Sequence, residues 1–177
     1  KAGSSLVMPR VNLSKAGVAG GLKHWFFDKR FYFIAFFIPV VLTYLAYAIF
    51  GIAPFGDHSV LCLDLNGQYV YYFEAIRDAF WGDGSLFYDW SRNLSGNFMG
   101  IIGYYLASPF TLIVILLPQS MMVTSLLIMQ LAKLGAAAVT FNYFLRRRRG
   151  MEEWPALIFS TLYAMMAYAV IQLIDPM

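Results

Sequence analysis

Charge, histidine and cysteine are all scarce in this sequence of 177 residues. Charged residues make up 13% of the chain, where a soluble domain carries about 25%, so the surface of an ordinary water-soluble globule is excluded. A single cysteine, Cys62, excludes an internal disulfide and a cysteine metal box. It reads as a small apolar residue near a loop–helix junction. The two histidines, His24 and His58, lie far apart. Asp57-His58 has no second histidine near it, and the spacing fits no metal-ligand pattern. There is no phosphate-cradling Walker A loop and no Ser-His-Asp arrangement. Internal repeats and low-complexity tracts are absent too.

What the chain has instead is apolar length: 60% of its residues are hydrophobic and 18% aromatic. The charges gather between long apolar runs, the pattern expected where a bilayer is the solvent. Residues 1–30 hold Lys1, Arg10, Lys15, Lys23, Lys29 and Arg30 against Asp28. Residues 52–100 reverse the sign, with Arg77 and Arg92 against Asp57, Asp64, Glu74, Asp78, Asp83 and Asp89. Basic residues that flank apolar spans are explained by membrane topology, without a nucleic-acid partner.

The first 23 residues show no sustained periodicity and read as a disordered part of a basic cytoplasmic tail covering 1–30. Phe31–Phe50 runs twenty residues without a charge, enough to cross a hydrocarbon core of about 30 Å, with Pro39 expected to kink it. Gly51-Ile52-Ala53-Pro54 is a poor cleavage site, so this span reads as an uncleaved anchor with its N-terminus inside. Met121–Leu145 is a second span, closed by Arg146-Arg147-Arg148-Arg149 on the cytoplasmic side. Trp154–Ile174 is a third, running outward. Ile101–Leu117 is apolar but broken at Ser108-Pro109. Counting it as a span would put the four arginines outside, so it reads as an interfacial or re-entrant helix.

The segment 52–120 is then one outer loop. Within it Val70, Phe73, Ile76, Arg77 and Phe80 fall at helical spacing. Residues 65–81 therefore read as an amphipathic helix along the membrane surface, ended by Gly82-Asp83-Gly84-Ser85. Leu86–Gly103 reads as an ordered loop. The fold class is all-α, integral membrane, with three transmembrane helices and interfacial helices in the first outer loop.

Two ionisable residues stand out. Asp64 follows an apolar stretch and opens the helix beginning near Leu65. It reads either as a helix N-cap or as an acid or base at the outer face, beside Asn66, Gln68 and Tyr69. A carboxylate there can deprotonate an acceptor hydroxyl or help hold a divalent ion with substrate phosphates. Lys133 lies near the middle of Met121–Leu145, too deep for easy snorkelling. It reads as a partner for a lipid phosphate or a carboxylate, or else as half of a structural ion pair or as part of a span displaced enough for it to reach water; Gln130, one turn earlier, could share its partner. Trp90, Tyr104 and Tyr105 read as interface anchors or sugar platforms.

Four stretches, taken in order, are similar to the N-terminal region of the bacterial YfhO-like membrane proteins. They are Pro54-Phe55-Gly56-Asp57, Asp64-Leu65-Asn66-Gly67-Gln68-Tyr69, Gly96-Asn97-Phe98-Met99-Gly100 and Tyr104-Tyr105-Leu106-Ala107-Ser108-Pro109-Phe110. Leu131-Ala132-Lys133-Leu134-Gly135 adds to the likeness, which covers roughly residues 30–177. That family resembles the GT-C glycosyltransferases, multi-span enzymes that take sugars from polyprenyl-phosphate carriers. Its members are linked with glycosylation of cell-envelope polymers such as lipoteichoic acid. The resemblance implies that Asp64 is the essential acid of the first outer loop, as base or ion ligand. It implies that Gln68 and Tyr69 line the site, that Asn97, Tyr104 and Tyr105 shape it, and that Lys133 meets the carrier phosphate. The chain itself reads as an N-terminal fragment of such a protein, inactive alone. The competing expectations are a transporter or flippase for a lipid-linked or anionic substrate, and a non-catalytic membrane scaffold.

Overall fold

The computed structural model describes residues 15–61, 64–82, 84–90 and 96–174. Helices dominate. The first, α1 (Lys15–Ile49), carries Pro39 inside it without ending there. It begins well inside the stretch expected to be a disordered tail. The apolar span supplies the nucleus, and extending an existing helix costs far less than starting one, so Lys15–Lys23 continues it despite a weak pattern. The helix is closed by Gly51, whose φ of 63° is open to glycine at little cost. Gly51 N–H donates to Ala48 O and Ile52 N–H to Tyr47 O, which satisfies the last carbonyls in a Schellman cap. Residues 51–58 then fold back on this cap. His58 N–H donates to Gly51 O, Phe55 packs edge-on against Tyr44 at 4.7 Å, and the Ala53–Pro54 peptide is cis.

Two stretches of described helix are long and apolar enough to cross a membrane, Lys29–Ile49 and Gln119–Arg148. The second contains α5 (Met122–Arg148). The two helices run antiparallel: Tyr32 meets Tyr143 at 6.2 Å, and Gly135 lies against Phe36. Small residues allow the approach, with Ala35 and Ala138 fully buried. A third helix, α6 (Glu153–Ala164), runs parallel to α1. Its start lies beside Phe31, where Trp154 packs edge-on at 5.3 Å, and just past its end Thr43 Oγ1 donates to Met165 Sδ at 3.7 Å. Between α5 and α6, Asn142 Nδ2 donates to Ser160 Oγ at 3.3 Å, and Phe141 stacks on Tyr163 at 4.3 Å.

Trp154–Ile174, expected as one span, is divided. After α6, residues Met165 and Met166 leave the helix and α7 (Ala167–Ile174) follows. No glycine or proline marks the break, so nothing in the local sequence announces it.

Between α1 and α5 the chain forms a helical unit seated on the N-terminal part of α5. Leu65–Tyr69 is a π-helix that leads without interruption into α2 (Val70–Trp81). A short antiparallel pair follows, β1 (Tyr88–Asp89) and β2 (Gly96–Asn97), with Tyr88 opposite Asn97 and Asp89 opposite Gly96. Then come α3 (Phe98–Ile101), a second π-helix (Ile102–Leu106), α4 (Thr111–Leu116) and a 3₁₀ turn (Gln119–Met121). Leu65, Tyr69, Val70, Phe73, Ile76, Phe98, Leu106, Val114 and Ile115 share one buried cluster with Met122, Leu126 and Met129 of α5.

Ile101–Leu117 is therefore not a continuous helix. Its breaks are stabilised by side chains that meet the backbone groups freed there. Thr111 Oγ1 donates to Leu106 O at 2.8 Å, Trp81 Nε1 to Ile115 O at 2.8 Å, and Arg77 Nε to Leu117 O at 2.9 Å. Without such partners, buried carbonyls at helix ends are costly. The expected helix over 65–81 is present, but its first turn is π, and its apolar side packs on α4 and joins the buried cluster that includes α5. Val70, Phe73 and Ile76 are buried, whereas Phe80 is exposed. The expected loop at 86–103 contains the β1–β2 pair and α3. Residues 1–14 of the expected tail, Cys62, Asp83 and Arg92 lie outside the described residues.

Candidate functional site

Asp64 opens the first π-helix with αR backbone angles, φ −66° and ψ −24°, and its side chain makes no cap hydrogen bond. The N-cap reading is corrected on that geometry: a capping residue needs an extended backbone to swing its oxygen over the first turn. The carboxylate is half-buried and has no hydrogen-bond or ion-pair partner among the described residues. π-Helical turns accumulate at functional sites, and here two of them meet. Tyr69 from the first packs edge-on against Tyr105 from the second at 5.3 Å. Tyr72 joins both, 6.1 Å from Tyr69 and 5.4 Å from Tyr105, and Tyr104 packs on Tyr105 at 4.5 Å. Tyr72 Oη donates to Gln68 Oε1 at 3.5 Å. Gln68, Tyr69, Tyr104 and Tyr105 thus belong to one aromatic assembly, although Tyr69 is buried and Tyr104 exposed.

Asn97 stands apart from this assembly. Its backbone is extended and its Oδ1 accepts from Gly100 N–H at 3.3 Å, capping α3. The Gly-Asn-Phe-Met-Gly stretch is thus a helix start, and the Asn97 carboxamide oxygen is engaged in it.

Lys133 is half-buried in α5 and has no ion-pair or hydrogen-bond partner among the described residues. At 100° per residue it projects about 20° from the direction of Met122. Met122, Leu126 and Met129 share the buried cluster with Leu65 and Tyr69, so Lys133 continues the stripe that carries the Asp64 unit, about 6 Å beyond Met129 along the helix. Ala138, on the stripe facing α1, points roughly 160° away from Met122.

A groove of about 1020 Å³ opens on the other side of α2. Gln68, Tyr71, Tyr72, Glu74 and Asp78 form one wall and Tyr88, Asp89 and Trp90 the other, with Phe98 between them. Asp64, Asn97, Tyr104, Tyr105 and Lys133 do not line it. Sequence reasoning treats Glu74, Asp78 and Asp89 only as outer-loop charges and so misses them. The usable signal is the spacing of Glu74 and Asp78, one turn apart and away from the stripe Val70, Phe73 and Ile76. Among the described residues no three His, Cys, Asp or Glu side chains converge as metal ligands do.

No curated protein and no solved structure matches the chain. A family model described as bacterial membrane protein YfhO matches residues 35–177, a stretch that takes in the apolar part of α1, both π-helices, α5 and α6. On that match, the chain belongs to the YfhO family of bacterial membrane proteins.

Proposed function

We propose that the chain is the N-terminal part of a multi-pass membrane glycosyltransferase that uses a polyprenyl-phosphate-linked sugar to modify a cell-envelope polymer such as lipoteichoic acid. In this reading α1, α5 and the α6–α7 pair are three spans, the arginine end is cytoplasmic, and the unit between α1 and α5 faces outward. The observation that carries the reading is Asp64: a half-buried carboxylate at the head of a π-helix, uncommitted to capping. Asp64 takes the proton of an acceptor hydroxyl as that oxygen forms a bond to the anomeric carbon. The bond from that carbon to the phosphate oxygen breaks, and the polyprenyl phosphate leaves with the electron pair. Gln68 and the tyrosines around Tyr69 and Tyr105 position the sugar, and Lys133 meets the carrier phosphate from the same side of α5.

The test is Asp64→Asn in the full-length protein, assayed for sugar transfer from a polyprenyl-phosphate donor. The substitution keeps size and hydrogen bonding but removes the base, so transfer should fall by roughly 10²-fold or more. Undiminished transfer removes Asp64 from the chemistry.

A transporter or flippase for a lipid-linked anionic substrate is the second reading, supported by the divided α6–α7 segment. Interrupted helices at membrane depth are a feature of substrate sites in transporters. Flux of the lipid-linked sugar across vesicles without covalent product would favour it. A non-catalytic scaffold predicts that neither Asp64 nor Lys133 is needed.

A further inference from the structure

The groove beside α2 combines two kinds of side chain that a folded surface seldom leaves together. Trp90 is 80% exposed and Tyr71 61% exposed, although rings of this size gain most from burial. Tyr88 props Trp90 edge-on at 4.7 Å, so the indole is supported in its exposed position. Between these rings stand Glu74 and Asp78, Asp89 on the facing wall already has a partner of its own, and no lysine or arginine lines the groove among the described residues. Ionised carboxylates only accept hydrogen bonds, so the groove suits a ligand rich in donors with apolar faces for the rings. Two like charges one helical turn apart, Glu74 and Asp78, repel an anion.

From these features we propose that the groove binds a neutral saccharide segment, its ring faces against Trp90 and Tyr71 and its hydroxyls donating to Glu74 and Asp78. Glu74 and Asp78 disfavour a phosphate-bearing group there. The carrier phosphate of the proposed reaction and the saccharide held here would therefore approach from different places, the first along the Lys133 face of α5. The proposal shares a ligand class with the glycosyltransferase reading, but it needs no catalytic role for Asp64, which does not line the groove.

The experiment uses the full-length protein in nanodiscs of zwitterionic lipid, titrated with maltotetraose, cellotetraose and chitotetraose, with glucose 1-phosphate as the anionic probe. At least one tetrasaccharide should change the tryptophan fluorescence saturably, and glucose 1-phosphate should not. Trp90→Ala should weaken that binding by roughly tenfold, read by calorimetry, the scale of losing one aromatic contact. Glu74→Gln with Asp78→Asn should lower the discrimination against glucose 1-phosphate. Asp64→Asn should leave saccharide binding unchanged even if transfer is abolished, which separates this proposal from the catalytic one. Binding of none of the three tetrasaccharides overturns the proposal. So does binding that is indifferent to Trp90→Ala, or a Trp90 signal that responds to lipid composition alone, the behaviour of an interface anchor.

Discussion

A Cβ atom built on Gly135 would stand 2.5 Å from Cε2 of Phe36. No real Cβ sits so close to a ring carbon, so the separation of α1 and α5 is set at this point by a hydrogen atom. Gly135→Ala pits two effects against each other. Alanine improves helix propensity by about 1 kcal/mol, while overpacking a tight contact costs about 1–3 kcal/mol. The expected result is a net loss of roughly 1 kcal/mol for alanine and more for valine, measured by reversible unfolding in detergent micelles. Phe36→Ala should rescue Gly135→Val, because removing the ring removes the clash. A variant pair that shows no such coupling would mean the helices do not meet there.

The tie between α2 and α4 makes a local prediction. Trp81→Phe keeps a ring but removes the N–H that donates to Ile115 O, and Arg77→Leu removes the donor to Leu117 O. Each leaves a carbonyl at the end of a six-residue helix without its partner, at a cost of about 1–3 kcal/mol. The loss should be local: amide exchange across 107–121 should accelerate while α1 and α6 keep their protection. Uniform acceleration would show that the unit is not a separate cooperative element.

How much of this is legible in the sequence depends on whether the determinant is local. The two long apolar runs become α1 and α5, because length without charge leaves a chain in a bilayer few alternatives. Ser108-Pro109 announces the break in Ile101–Leu117, since the turn that Thr111 N–H closes on Ser108 O uses proline's fixed φ. The break at Met165–Met166 carries no such signal. Nor do the π-turns at Leu65–Tyr69 and Ile102–Leu106, which depend on packing between segments far apart in the chain. The capping bond of Asn97 to Gly100 is hidden in a stretch that reads as a loop. The groove carboxylates read as outer-loop charge and gain a second wall only when β1 is placed opposite.

At the arginine end Glu153 serves two cations. Arg146 Nη2 lies 2.9 Å from its Oε1 and Arg30 Nη2 3.9 Å from its Oε2. Arg146 also lies over the Tyr32 ring at 4.8 Å, joining the start of the apolar part of α1 to the end of α5 and the start of α6. Because Glu153 is 43% exposed, screening limits the effect. Glu153→Gln should cost about 0.5–1 kcal/mol in dilute buffer, and most of that difference from the parent should vanish at 1 M salt, where the Debye length is about 3 Å. A salt-independent loss would assign the contribution of Glu153 to packing.

Lys133 provides the sharpest division between a structural and a functional residue. A half-buried cation in the middle of an apolar helix, without a partner among the described residues, destabilises the bundle unless something answers it. Lys133→Met keeps the length and apolar stem and removes the charge. If Lys133 serves a substrate phosphate, the variant should be more stable, by about 1–2 kcal/mol, less than the ~2.5–3.5 kcal/mol quoted for a lysine fully at a span centre. Sugar transfer by the full-length protein should fall at the same time. A structural ion pair gives the opposite sign, because breaking it strands the partner's charge and lowers stability. Thermal unfolding and transfer measured on the same preparation separate the two, and a variant that loses stability while keeping transfer would remove Lys133 from the site.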